Sequence, residues 1–290
     1  VTTFLCLPNE ILTKFFENLS LKDRQSLASI NNRLCEVERK SGHRQFDIIV
    51  FSIDEEDLII ATIDSNRKTF SKSDSVLDIA AYFNRAHALI FEISGLIDNE
   101  SELKLHALSR TMTFEQLDLQ IVDDRSCGIF QKLINKRQSL NDLTIRTKKD
   151  LYNCEGVRHL IMNLPPVKNL QIFPEAYMFW GQQDTQKSII DDIILLHLVD
   201  TCTNYLHLSH IITRFTSSGV ARAFQMIYER RKNISVYIQM PSSEFDTFFE
   251  SVKLDPRFYA KGNYSVEHTE SGATLTCYGR DISHIAMHRC

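Results

Sequence analysis

Histidine and cysteine are the side chains here most able to hold a metal or to attack a substrate. The chain has 10 His and 7 Cys, and few stand at useful spacings. His284 and His288 are four residues apart, which on a helix would turn two imidazoles to one side, with Cys290 as a third zinc ligand. No cysteine pair accompanies them, and a segment this near the chain end fixes ligand geometry poorly. His207 and His210 flank a strand-like stretch with no carboxylate at a spacing suited to a general base. Cys127, Cys154, Cys202 and Cys277 sit in apolar or strand-like contexts and are expected as small core residues. The phosphate-binding, dinucleotide, nucleophile-elbow and zinc-protease motifs are missing, and 9 glycines leave little for a phosphate-cradling loop. The expectation is a protein without catalytic residues, cofactor or metal.

Charge gives no other chemistry. Arg222, Arg230, Arg231 and Lys232 lie on one helical segment and its end, where cations complement the helix dipole. Arg146, Lys148 and Lys149 form a smaller basic group. With a net charge of −4, both read as solvated faces rather than nucleic-acid contacts. The longest apolar run, IILLHLV at 193–199, is far too short to span a bilayer, so no membrane partner is expected. No signal peptide opens the sequence, and 7 cysteines without framework spacing favour reduced thiols, hence a cytoplasmic or nuclear setting. A length of 290 residues, 43% apolar and 24% charged, allows one small module and one larger domain.

The elements are clearest at the start, FLCLPNEILTKFFENLSLKDRQSLASINNRLCEVERKS. Pro8 suits a helical first turn, and Glu10 suits its positive end. Ile11, Leu12, Phe15, Phe16 and Leu19 form one apolar stripe. Ser20 is a natural N-cap with Asp23 reaching back to it, and Leu27 and Ile30 mark the buried side of a second helix. Asn31 and Asn32 interrupt it, and Leu34 and Val37 continue a third. Three short helices bury little apolar surface alone, so their faces need a partner.

The order Leu-Pro-x-Glu-Ile-Leu, two apolar pairs at helical spacing, Ser-Leu-Lys-Asp-Arg and Leu-x-x-Ile-Asn resembles an F-box. The resemblance implies docking on a Skp-type adaptor that joins a cullin-based ubiquitin ligase. The matching positions are Leu7, Pro8, Glu10, Ile11, Leu12, Phe15, Leu19, Leu21, Asp23, Arg24, Leu27, Ile30 and Leu34. The aromatic residue often found late in the third helix is Cys35 or Val37 here. The resemblance covers residues 4 to about 42, and the boundary is set at 1–42 for the F-box and 43–290 for the remainder.

Beyond residue 43, strand-like pieces alternate with helical ones. Taking Leu89, Leu117, Leu143, Leu170, Leu206 and Val236 as equivalent points, the steps are 28, 26, 27, 36 and 30 residues. Between them run the stripes Ile129-Phe130-Leu133-Ile134, Ile189-Ile190-Ile193-Ile194-Leu198 and Val220-Phe224-Ile227-Tyr228, with Ser217-Ser218 as a cap and Pro165-Pro166 as a stop. A strand and a helix repeated at this interval predict an irregular, leucine-rich-repeat-like solenoid of α/β class. A doubly wound α/β sheet has the same element order, but no glycine-rich strand-to-helix turn is present. Hairpins are expected at 46–70, with Asp54-Glu55-Glu56-Asp57 at the tip, and near the C-terminus around Glu270-Ser271-Gly272. Antiparallel pieces at both ends would protect the open edges. The arrangement resembles nematode F-box families, in which a C-terminal region follows a similar box.

The segment FPEAYMFWGQQD, 173–184, lengthens one repeat and carries the single Trp. Its Tyr177, Phe179 and Trp180 are the expected target-binding residues, because aromatic side chains on an insertion suit a recognition hot spot. The functional expectation is a substrate-recruiting adaptor of a Skp-cullin-F-box ubiquitin ligase, tethering an unidentified target protein and needing no catalysis of its own. The alternative is an F-box-bearing scaffold or receptor outside a ligase.

Overall fold

The computed structural model describes residues 2–17, 19, 21–40, 45–54, 57–63, 69–84, 86–135, 137–147, 154–174, 190–208, 213–230, 233–240, 242–253, 255–262, 265–270, 274–278 and 283–288. Four helices come first: α1 Thr2–Leu5, α2 Asn9–Glu17, α3 Leu21–Ala28 and α4 Asn32–Lys40. Strands β1 Gln45–Asp54, β2 Asp57–Ile63 and β3 Thr69–Phe70 follow, then α5 Val76–Tyr82 and β4 Ala86–Gly95. Strand and helix then alternate: α6 Asn99–Thr111, β5 Met112–Ile121, α7 Asp124–Ile134, β6 Leu140–Thr147, α8 Glu155–Met162 and β7 Val167–Pro174. The alternation continues with α9 Asp192–Thr201, β8 Cys202–Leu208, α10 Ser217–Glu229, β9 Ser235–Met240 and α11 Ser242–Lys253. Four strands close the chain: β10 Phe258–Gly262, β11 Ser265–His268, β12 Thr274–Tyr278 and β13 Ser283–His288.

All thirteen strands join one sheet, in the order β10-β11-β12-β13-β9-β8-β7-β6-β5-β4-β1-β2-β3. From β4 to β9 each strand pairs in parallel with the one before it, with no reversal of order. The order turns back only at β1 and at β13, and the strands beyond each turn pair antiparallel, so the second parallel half that a doubly wound sheet requires is missing among the described residues. Each helix from α5 to α11 packs against its successor, as a solenoid requires.

One transverse row crosses the sheet through Ile49, Phe91, Leu117, Leu143, Leu170, Leu206 and Val236, all buried. The row confirms the repeat register at five of six chosen points. The sixth is corrected: Phe91, not Leu89, pairs with Leu117, and Leu89 is 37% exposed. The cause is a phase slip. Burial in β1, β4, β6 and β7 falls at Phe46-Ile49-Phe51, Ala88-Phe91-Ile93, Leu140-Leu143-Ile145 and Val167-Leu170-Ile172, at positions i, i+3 and i+5. Strict two-residue alternation therefore fails between the first and second buried positions.

Both ends are antiparallel. β1 and β2 form the expected hairpin, with Asp54 opposite Asp57. β11 and β12 form the second, but they belong to four strands, not a lone hairpin. β13 inserts between β12 and β9, antiparallel to each. His284 and His288 are thus on a strand, so the helical spacing read for them does not apply. Gly95 ends β4 at φ 91°, and a Cβ there would lie 2.0 Å from the Ile53 carbonyl oxygen. Only glycine fits that close approach.

Helices α6, α7, α9 and α10 start at side-chain caps. Asp98 accepts from Ser101 N, Asp123 from Ser126 N, Asp191 from Ile194 N and Thr216 from Gly219 N. Thr216 caps α10 in place of the expected Ser217-Ser218, because Ser217 Oγ instead donates to Glu244. α6 escaped the periodicity reading because its inner face holds Ser101 and Lys104, both about 1% exposed. Lys104 Nζ is satisfied there by Glu100 Oε1 at 2.8 Å and by the Lys72 carbonyl.

The buried apolar residues form two clusters. The larger joins the sheet's inner face to α5–α11. The smaller, Leu12, Phe16, Leu34 and Val37, belongs to the N-terminal helices alone.

Candidate functional site

The N-terminal helices are built around that small cluster. Phe4, Leu5, Leu7, Leu27 and Ala28 pack against it from the side. Pro8 stands one residue before α2, and its carbonyl accepts from Ile11 N and Leu12 N at 3.1 Å. Asn31 Oδ1 accepts from Arg33 N at 2.8 Å, so Asn31 breaks the α3 stripe and caps α4.

Arg33, which the apolar pattern does not reveal, ties the start of the segment to α4. Its guanidinium donates to the Leu5 carbonyl, to the Leu7 carbonyl at 2.8 Å and to Asn9 Oδ1 at 2.9 and 3.2 Å. The Leu7-Pro8 turn is thereby fixed against α4. A charged residue following Asn31-Asn32 was the available signal, and it gives no hint of a partner 24 to 28 residues away.

The positions matched to an F-box separate by exposure. Leu12 and Leu34 are interior, at 0% and 2%. Leu7, Leu19 and Leu27 are half-buried, and Pro8, Glu10 and Asp23 are exposed. Ile11, Phe15 and Ile30 are apolar yet 48%, 41% and 63% exposed. Ile11 and Phe15 are one helical turn apart and share a face of α2, and Phe15 meets the Phe4 ring edge-on at 5.0 Å. The side chains of Leu21 and Arg24, and the whole of Ser20, lie outside the described residues. Large apolar side chains left in water on so small a module are the composition of a docking surface.

The sheet face turned away from the helices is polar and aromatic. Arg146 donates from Nε to Asp118 Oδ1 at 2.9 Å and from Nη2 to Oδ2 at 2.5 Å, with Glu92 Oε1 at 3.4 Å. The Asp118 carboxylate raises the guanidinium pKa further, so Arg146 is a neutralised cation rather than part of a basic patch. Arg230 is likewise paired with Asp200, and Lys148, Lys149, Arg231 and Lys232 lie outside the described residues. Asn204 Nδ2 donates to Asn169 Oδ1 at 2.6 Å, and Asn169 Nδ2 donates to Asp142 Oδ1 at 2.7 Å. Beyond them Tyr205, His207 and Tyr237 cluster with ring centroids 5.5–5.8 Å apart. The Tyr205 hydroxyl is 3.2 Å from His207 Nδ1. This face can hold a ligand by charge and stacking. Phe173 continues it beside Arg146, whereas Tyr177, Phe179 and Trp180 lie outside the described residues.

No helix among the described residues is long and apolar enough to cross a membrane. No curated protein matches the chain. The family model for the F-box domain matches residues 4–43, a segment that begins in α1 and ends just past α4. F-box domains bind Skp-type adaptors, and the proteins that carry them are typically non-catalytic adaptor subunits of ubiquitin ligases. An F-box domain at residues 4–43, with an exposed apolar face on α2 and a large α/β sheet following in sequence, is consistent with an F-box protein.

Proposed function

We propose that the chain is a substrate-recruiting adaptor of a Skp-cullin-F-box ubiquitin ligase. Residues 1–42 form the docking module and 43–290 the target-binding domain. The F-box match carries this reading, and the exposed Ile11, Phe15 and Ile30 support it. Pro8, Glu10, Ile11, Phe15, Asp23 and Ile30 supply direct contacts to the Skp-type subunit. Leu12 and Leu34 act from inside, by holding that surface in shape. The two separate apolar clusters are consistent with a module that docks independently of its cargo domain.

Burial at i, i+3 and i+5 is the Leu-x-x-Leu-x-Leu spacing of a leucine-rich-repeat strand, which supports a repeat-like ancestry for the array. Targets are held on its outer sheet face, by Tyr205, His207 and Tyr237 together with the aromatic segment that includes Tyr177, Phe179 and Trp180. The adaptor works by proximity: a tethered target's lysines reach a high effective concentration near the ubiquitin-loaded enzyme.

The test is binding of the purified chain to a Skp-type adaptor. Ile11→Asp/Phe15→Asp should abolish it while leaving the circular dichroism unchanged, because neither side chain belongs to the buried cluster. Full-strength binding by that double variant would overturn the docking proposal. Recovery of a cullin with the wild-type complex separates a ligase subunit from a scaffold acting elsewhere.

A further inference from the structure

Where α7 meets the start of α8, three side chains that can ligate metals converge. The Sγ atoms of Cys127 and Cys154 and a carboxylate oxygen of Asp124 all lie within 4.8 Å of one another. Asp124 and Cys127 are a turn apart on α7, and Cys154 is the residue just before α8, with its Sγ 2.6 Å from Asp124 Oδ1. The side chains grade from exposed Asp124 through half-buried Cys154 to buried Cys127, which leaves an entry path from solvent. Gly156 makes room for the group, since a Cβ there would sit 2.0 Å from Asp124 Oδ1.

The junction of α9 and α10 is an internal control. There Asp192, first in its helix as Asp124 is, accepts from Thr216 Oγ1 at 2.6 Å and lies where a Cβ on Gly219 would collide with it. The position three after Asp192 is Leu195, fully buried. The same carboxylate link is thus closed by a hydroxyl and a leucine at one junction and by two sulfurs at the other. A helix link alone needs no second sulfur. Cys154 also starts its helix without a side-chain cap bond, although Asp or Thr supplies one at α6, α7, α9 and α10.

We propose that Asp124, Cys127 and Cys154 form a zinc site that staples α7 to α8, with water as the fourth ligand. Two sulfurs and one carboxylate oxygen suit a borderline-soft, tetrahedral ion. At ordinary Zn–S and Zn–O lengths the ligand atoms stand about 3.5–3.8 Å apart, so the Asp124–Cys154 contact opens by about 1 Å on binding. Zn2+ replaces the thiol protons, and each bound ion releases two.

The test uses the full chain, reduced and stripped of metal, titrated with Co2+ and then Zn2+. The expected result is one ion per chain, with the thiolate-to-cobalt charge-transfer band of a tetrahedral site, bleached when Zn2+ displaces it. Cys154→Ser should weaken uptake at least about tenfold without harming the fold, because serine is itself a good helix cap. Asp124→Asn should weaken uptake too, and Cys6→Ser/Cys35→Ser, both exposed, should leave it unchanged. Failure of the folded, reduced chain to take up Co2+, or undiminished uptake by Cys154→Ser, would overturn the proposal. So would mild oxidation that links Cys127 to Cys154 in a chain that binds no metal.

Discussion

Arg33 shows how one side chain shapes a surface it does not form. It holds the Leu5 and Leu7 carbonyls and Asn9 against α4. Charge-assisted hydrogen bonds of this kind contribute about 1.5–3 kcal/mol when well ordered, and less for an exposed side chain. Arg33→Ala should lower the module's unfolding midpoint by the equivalent of about 1–2 kcal/mol and weaken adaptor binding, although Arg33 is not among the apolar contacts; paired denaturation and affinity measurements check both. The F-box pattern could be read because it is written in apolar residues at helical spacing. Arg33 could not, since its partners are two backbone carbonyls and the Asn9 side chain, 24 to 28 residues away, which leave no periodic signal. Cysteine was half legible: Cys127 is the core residue its context suggested, whereas Cys154 stands at a helix start beside a carboxylate.

At the level of elements, β1 and β4 to β9 each contribute to a row that runs across the sheet, so their interior residues are doubly committed. Leu117, between Phe91 and Leu143, is 1% exposed, and Leu117→Ala should cost about 2–5 kcal/mol by chemical denaturation. Gly95→Ala should cost at least about 2 kcal/mol, from both the positive φ and the collision with Ile53. The helix caps add pH dependence. The Lys72 ammonium first, and then the Ser101 amide, hold the Asp98 carboxyl well below its ordinary 3.8. The folded state therefore favours the ionised form, and this contribution is present above pH 3.8 and fades as pH falls through the folded value. Asp98 is 45% exposed, so the effect is small. Asp98→Asn should lower stability near neutrality by under about 1 kcal/mol, and that deficit should shrink in acid. The strand rhythm was legible because leucine marks most of the row. It failed at Leu89 because the equivalent position there is a phenylalanine, two residues on and past the phase slip. α6 was hidden by a buried lysine: its Glu100 partner stands four residues back, but the distant Lys72 carbonyl that completes its satisfaction cannot be seen along the chain.

At the scale of the molecule, the chain joins a small helical module to a long one-directional array. Nearly every strand lies beside its neighbour in sequence, which keeps the pairing local through most of the fold. The exceptions are the pairs β1–β4 and β9–β13, and β13 is all that joins β10, β11 and β12 to the rest of the sheet. During synthesis the array can grow strand by strand as it leaves the ribosome, up to β9. The three strands made next must wait, unattached at the sheet, until 283–288 emerge. A premature stop just before Ser283 would remove one short strand, yet it should detach β10 to β12 from the sheet, leaving them held only by packing such as Phe258 on Phe224, and bare the edge of β9. Limited proteolysis should cut such a truncated chain within 258–278 faster than it cuts the full chain. Quality control would then see a bare β9 edge that β13 covers in the full chain.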